Sequence, residues 1–120
     1  MYTIYLVEDE ERLLKVLLMY LDKEGYNAKA FSSAEEAMKH LNDKVSLWLV
    51  DIGLPGMDGI ELLKQIKAQD SEVPIIFTSA RDSEMDRVIG LYAGSDDYVT
   101  KPFSVNELLL RIKNILKRVY

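Results

Sequence analysis

The sequence has no cysteine, a single histidine (His40), a single tryptophan and only three prolines in 120 residues. Without cysteine there is no disulfide to staple the fold and no thiolate to hold a metal, and the redox compartment leaves no trace. One imidazole excludes a histidine metal cluster and any triad that needs a second ring. Basic charge is also short: 15 Lys and Arg face 20 Asp and Glu, a net charge of −5. That is the wrong sign for a surface that must neutralise nucleic-acid phosphates. No apolar run approaches the roughly 18–20 residues of a membrane span, and no signal-peptide pattern opens the chain. The expectation is a soluble cytoplasmic domain that binds neither membrane nor, by itself, DNA. What remains is close to half apolar, enough for one core at a length typical of a single domain.

Three short apolar runs stand out: Ile4–Val7, Leu47–Val50 and Ile75–Phe77. They do not alternate with polar residues, so as strands they are buried on both faces, as in a parallel sheet covered by helices. Asn27–Phe31 and Asp97–Thr100 are weaker strand candidates. Helical patterns fill the intervals. Leu14, Leu17, Leu18 and Leu21 form one stripe, stopped by Gly25. Ser33 with Glu36, and Ser104 with Glu107, have the spacing of capping boxes. A third helix runs from Gly59 to about Ala68, burying Ile60, Leu63 and Ile66 or their neighbours. A fourth opens at Asp82 or Ser83 and ends near Gly94, with Met85, Ile89 and Tyr92 facing inward. The last buries Val105, Leu108, Leu109, Ile112, Ile115 and Leu116. Strand and helix alternate five times, which predicts a doubly wound α/β sandwich.

In open α/β sheets, ligands bind beyond the carboxyl ends of the strands. There the runs are followed by Glu8-Asp9, Asp51, Thr78-Ser79 and Lys101-Pro102. Carboxylates brought this close repel unless a cation intervenes. Oxygen ligands favour Mg²⁺, Ca²⁺ or Mn²⁺ over zinc, and Mg²⁺ needs few carboxylates. Glu8, Asp9 and Asp51 with the Gly53 backbone carbonyl would make such a site. Helix capping by Glu8 and Asp9 accounts for their charge equally well. Asp51 is harder to explain structurally: it ends a central strand and meets Gly53, Pro55, Gly56 and Gly59, a loop suited to tight backbone paths. A carboxylate that attacks phosphorus leaves an acyl phosphate. Lys101 would then neutralise the transferred oxygens and Ser79 donate to one of them. Pro102 restricts Lys101 to extended backbone and is a candidate for a cis bond.

Taken in order, Val7-Glu8-Asp9-Glu10, Asp51 through Gly59, Pro74 through Arg81, and Gly94-Ser95-Asp96-Asp97-Tyr98 continuing to Lys101-Pro102-Phe103 resemble the receiver domains of two-component response regulators, the CheY-like family. The resemblance runs from about Thr3 to Arg118. It implies a flavodoxin-like, five-stranded parallel sheet in the order 2-1-3-4-5 with five helices. It implies that Asp51 is the phosphoacceptor and that Glu8, Asp9, Asp51 and the Gly53 carbonyl hold Mg²⁺, for which Mn²⁺ can substitute. Lys101 would contact the phosphate, Ser79 and Tyr98 would be the switch residues, and Pro102 would follow a cis bond. The implied partner is a sensor histidine kinase, and the domain would be a switch that catalyses only its own phosphorylation and dephosphorylation. Ser95 stands where the family usually has Ala.

On the last two helices Val88, Leu91 and Leu110 point away from the core stripes. They are ringed by Arg87, Asp96, Asp97, Glu107, Arg111 and Arg118. This set resembles the OmpR/PhoB subfamily, whose activated receivers dimerise through the face formed by the fourth helix, last strand and fifth helix. The resemblance implies that Arg87 pairs with Glu107, and Asp96 and Asp97 with Arg111 and Arg118, across a two-fold axis. Residues 1–120 are then one receiver domain, with a winged-helix DNA-binding domain expected beyond Tyr120 in a parent transcription regulator. A stand-alone receiver that signals through a protein partner is the alternative. A small-molecule phosphatase is disfavoured because no cap fits in this length. A flavodoxin-like electron carrier is disfavoured because Glu8-Asp9-Glu10-Glu11 would repel a phosphate.

Overall fold

Strands whose residues are apolar on both faces need cover on both sides, and the computed structural model supplies it. The structure describes residues 1–80, 88–91 and 93–120. In chain order it runs β1 (Thr3–Val7), α1 (Glu11–Lys23), β2 (Asn27–Phe31), α2 (Ala34–Met38), β3 (Leu47–Asp51), α3 (Gly59–Gln69), β4 (Ile75–Ser79), the helical residues 88–91 as α4, β5 (Asp97–Thr100) and α5 (Val105–Val119). The five strands pair in parallel in the order β2-β1-β3-β4-β5. β3 and β4 are buried at every residue, so their runs could not alternate. β2 exposes Asn27 and Lys29, as suits an edge strand.

The sheet divides the core into two layers. Tyr5, Val7, Trp48, Val50, Phe77 and Tyr98 pack with Leu62, Leu63 and Ile66 of α3. Ile4, Leu6, Leu49 and Ile76 pack with Leu17 and Leu21 of α1 and with Leu108, Ile112, Ile115 and Leu116 of α5. Each fully buried Leu or Ile contributes roughly 1.5–3 kcal/mol, so these layers dominate stability. In α3 it is Leu62, not Ile60, that is fully buried; Ile60 packs at the margin.

The helix starts follow the expected caps in part. Ser33, Asp58 and Ser104 accept from the backbone N–H of Glu36, Glu61 and Glu107. The return half of each expected capping box is replaced by an ion pair, Glu36 with Lys39 and Glu107 with Arg111.

The expectation that Ile89 faces inward is corrected. Ile89 is 48% exposed while Gly90 is buried. A Cβ on Gly90 would lie 2.5 Å from Cδ2 of Tyr98, so the ring from β5 occupies the place an α4 side chain would take. Val88 and Leu91 are exposed as expected. Arg81, Asp82, Ser83, Met85, Arg87 and Tyr92 lie outside the described residues.

Candidate functional site

Register brings the sequence-predicted residues to one edge. Val7 pairs with Val50, so Glu8 and Asp9 emerge beside Asp51. Asp51 pairs with Thr78, and Ser79 with Thr100, the residue before Lys101. β3 and β4 run one and two residues further than their apolar runs, taking in Asp51 and Thr78-Ser79. The backbone ladder extends past β5, where the Lys101 N–H donates to the Ser79 carbonyl at 2.7 Å. The Lys101–Pro102 bond is cis, as expected.

Glu8, Asp9 and Asp51 each place a carboxylate oxygen within 4.8 Å of the others. Glu8 and Asp51 are almost wholly buried, 1% and 5% exposed, whereas Asp9 is open to solvent. The Lys101 Nζ donates to Glu8 Oε1 at 2.7 Å and to Asp51 Oδ2 at 3.1 Å. The second Glu8 oxygen accepts the Glu10 N–H at 3.0 Å at the start of α1. This bond holds the Glu8 carboxylate against the residue that precedes α1, and among the described residues no side chain caps the helix itself. Asp51 Oδ1 accepts the Gly53 N–H at 2.9 Å.

The electrostatics follow from this geometry. Burial pushes the Glu8 carboxyl up, and its bonds to Lys101 and the Glu10 amide offset only part of that. Burial opposes the charge on Lys101, but the Glu8 bond and the Asp51 charge outweigh it, so its ammonium is held more firmly than usual. Three carboxylates face one ammonium, which leaves two negative charges, the complement of one divalent cation. The donor set is all oxygen and largely preformed, which fits Mg²⁺ or Mn²⁺.

Ser79 is buried at the end of β4, and Tyr98 is buried in the row Val50, Phe77, Tyr98. Leu110 is 60% exposed on α5. Arg111, expected to pair across a dimer, also has acidic neighbours within its own chain. Within one chain, Arg111 already binds Asp97 at 2.8 Å and Glu107 at 2.9 Å. Asp96 accepts the Ile75 N–H at 2.8 Å, tying the turn before β5 to the start of β4. Arg118 is exposed and, among the described residues, makes no ion pair.

Sequence reasoning did not single out Glu35. Its Oε2 accepts the Met57 N–H at 3.0 Å, in the loop that follows Asp51. An exposed acid in a helix's first turn reads as a dipole complement, so nothing in the sequence marked this contact. Ser95 now has a role: its hydroxyl donates to the Gly90 carbonyl at 3.0 Å, closing the end of α4.

The fold is CheY-like, with its acidic pocket at the carboxyl edge of the sheet. The chain belongs to the response regulator receiver domain family, whose model matches residues 4–113. It is 50% identical over 119 residues to the transcriptional regulatory protein CssR of Bacillus subtilis, covering 99% of this chain and 53% of that protein. It is 44% identical to the sensory transduction protein RegX3 of Mycobacterium tuberculosis, covering 98% of this chain and 52% of that one. Among solved structures, the receiver domain of the Francisella response regulator 1452 superposes with a TM-score of 0.93 at 30% identity over the full length of both chains. The curated relatives are of the OmpR/PhoB type, and the chain spans about half their length.

Proposed function

We propose that Asp51 is the phosphoacceptor of a two-component switch and takes its phosphoryl group from a sensor histidine kinase. One Asp51 oxygen attacks phosphorus; the O–P bond forms as the P–N bond of the kinase phosphohistidine breaks, and the imidazole leaves with the electron pair. Hydrolysis of the acyl phosphate resets the site. The observation that carries this reading is Lys101, whose ammonium bonds Glu8 and Asp51 together where the transferred oxygens would arrive. A divalent cation held by Glu8, Asp9, Asp51 and the Gly53 carbonyl would supply the remaining positive charge for those oxygens. The open, mainly apolar groove beside the site is lined by Leu13, Lys101, Pro102, Phe103 and Val105, and it offers the kinase a place to rest.

Output runs through the switch residues Ser79 and Tyr98 to the face of α4, β5 and α5. Ser79 moves toward the phosphoryl oxygen and donates to it, and the Tyr98 ring turns inward into the space that Ser79 vacates. The resulting face dimerises through Val88, Leu91 and Leu110, with Arg87 meeting Glu107, and Arg111 and Arg118 meeting Asp96 and Asp97. A winged-helix domain beyond residue 120 would convert the dimer into transcriptional control. The likeness to transcriptional regulators along nearly all of this chain supports that output.

Mass spectrometry after incubation with Mg²⁺ and acetyl phosphate tests the chemistry. The expected result is one added phosphoryl group that requires Mg²⁺ and is absent in Asp51→Asn. A folded wild-type protein that gains no mass would overturn it.

A further inference from the structure

The loop of residues 52–58 is closed at both ends by bonds to Asp51 and Ile52. The Gly53 N–H donates to Asp51 Oδ1 at 2.9 Å, and the Gly59 N–H donates to the Ile52 carbonyl at 3.2 Å. Gly59 backs so closely on the Asp51 carbonyl oxygen that a Cβ there would stand 2.6 Å away. Leu54 buries its side chain in the core, which sets the height of the loop. Burial of an apolar side chain is non-directional, however, and does not fix how the peptide planes turn.

Beyond the 52–53 peptide, which those two bonds hold, a contact reaches the loop from α2. Glu35 Oε2 accepts the Met57 N–H at 3.0 Å. The neighbouring Gly56 has φ +75°, and a Cβ there would lie 2.6 Å from the same oxygen, so the carboxylate sits directly against the backbone of the turn. Through this bond the loop donates to a side chain from another element of the fold. The Met57 amide holds the Glu35 carboxyl below its usual range, as a bond to the charged form must. Pro55 fixes its own φ, which removes one of the torsions through which the stretch between Gly53 and Met57 can rearrange.

We propose that Glu35 is a positioning residue for the phosphorylation site: by holding the Met57 amide it sets the peptide planes of residues 53–57, and with them the affinity of the acidic pocket for its divalent cation. The inference rests on the reading of Glu8, Asp9 and Asp51 as the site of phosphorylation. It assigns Glu35 no contact with the metal or the phosphoryl group.

The test compares wild type, Glu35→Ala and Glu35→Gln, the last of which keeps an acceptor oxygen but no charge. Mg²⁺ is titrated into the unphosphorylated proteins while backbone amide resonances of Gly53 and Met57 are followed. Phosphorylation by acetyl phosphate is timed at limiting and saturating Mg²⁺. In Glu35→Ala the Mg²⁺ dissociation constant should rise about three- to tenfold, a loss on the scale of one hydrogen bond. Exchange of the Met57 amide should quicken, and the phosphorylation rate at saturating Mg²⁺ should stay within about twofold of wild type. Glu35→Gln should remain near wild type in all three, within a margin of about twofold. Unchanged Mg²⁺ affinity in Glu35→Ala would overturn the proposal. So would a Glu35→Gln as impaired as Glu35→Ala, because the effect would then belong to charge and not to the hydrogen bond. A wild-type chain that binds no Mg²⁺ and takes no phosphoryl group would instead sink the site reading beneath it.

Discussion

Lys101 is the residue on which the site's charge balance turns. Its ammonium bonds two carboxylates that are otherwise sealed from water, so its removal leaves Glu8 and Asp51 facing each other uncompensated. Breaking a buried pair from one side costs about 3–5 kcal/mol, and the partial exposure of Lys101 places this case toward the lower end. Lys101→Met should therefore lower stability in urea melts by about 2–4 kcal/mol without divalent cations, and saturating Mg²⁺ should restore part of that loss. Trp48 is the only tryptophan and is buried against Tyr5, so its fluorescence can follow the melt. An equal loss with and without Mg²⁺ would mean that the cation does not share the site. The four charged residues of this site were legible because each follows an apolar strand run at the edge where parallel strands deliver their ligands. Glu35 was not, because its partner is a backbone amide 22 residues on, and amides carry no sequence signature.

Elements add constraints that no single residue carries. The apolar runs marked β1, β3 and β4 directly, since burial on both faces needs only a continuous run. The inward face of α4 could not be read the same way. Its period favoured Ile89, but the volume beside β5 is taken by the Tyr98 ring, and a glycine satisfies that volume better than an isoleucine. Gly90→Ala puts a methyl 2.5 Å from one ring carbon of Tyr98 and 2.7 Å from another. The ring has to leave its place, at a cost of about 1–3 kcal/mol for overpacking. Shifted Tyr98 ring resonances, together with weakened association on activation, are the expected outcome; an unmoved ring would break the link between α4 and the switch. A second joint ties β1 to the turn after α2. The Tyr5 hydroxyl donates to Asp43 Oδ2, which also faces His40 Nδ1 at 3.0 Å. Burial and the Asp43 bond push the Tyr5 hydroxyl up to about 12, and the same bond pulls the Asp43 carboxyl down. The raised Tyr5 value means its share of stability is complete below its ordinary value near 10 and lost as pH climbs through about 12. The lowered Asp43 value means its share is present above about 3.9 and lost as pH falls through the depressed value. Tyr5→Phe should thus be less stable than wild type by about 1 kcal/mol at neutral pH. Urea melts across pH should show that gap close at both extremes; a gap that ignores pH would assign it to packing alone.

At the scale of the whole molecule, the acidic edge and the α4–β5–α5 face share one five-stranded sheet. Exposed Leu91 and Leu110 lie on that face beside an Arg111 already fixed by Asp97 and Glu107. Leu110→Asp should leave Mg²⁺-dependent phosphorylation of Asp51 within about twofold of wild type while weakening dimerisation of the beryllofluoride-bound protein at least tenfold, since a buried unpaired charge costs several kcal/mol. Sedimentation of the two proteins side by side checks this, and equal dimer fractions would move the contact elsewhere. The sheet's two borders bear on the same question. An open sheet can in principle recruit a strand from its neighbour and grow without end. Here β2 turns Lys29 and Asn27 to solvent, and β5 is only four residues long, with the Tyr98 N–H already taken by the Asp97 carboxylate. Neither border is a template for another copy. Molecules that meet are left with their helices, where a two-fold contact uses up the same patch on both partners. A proposed pair built this way closes on itself, so a crowded, fully phosphorylated population is expected to consist of discrete couples instead of filaments.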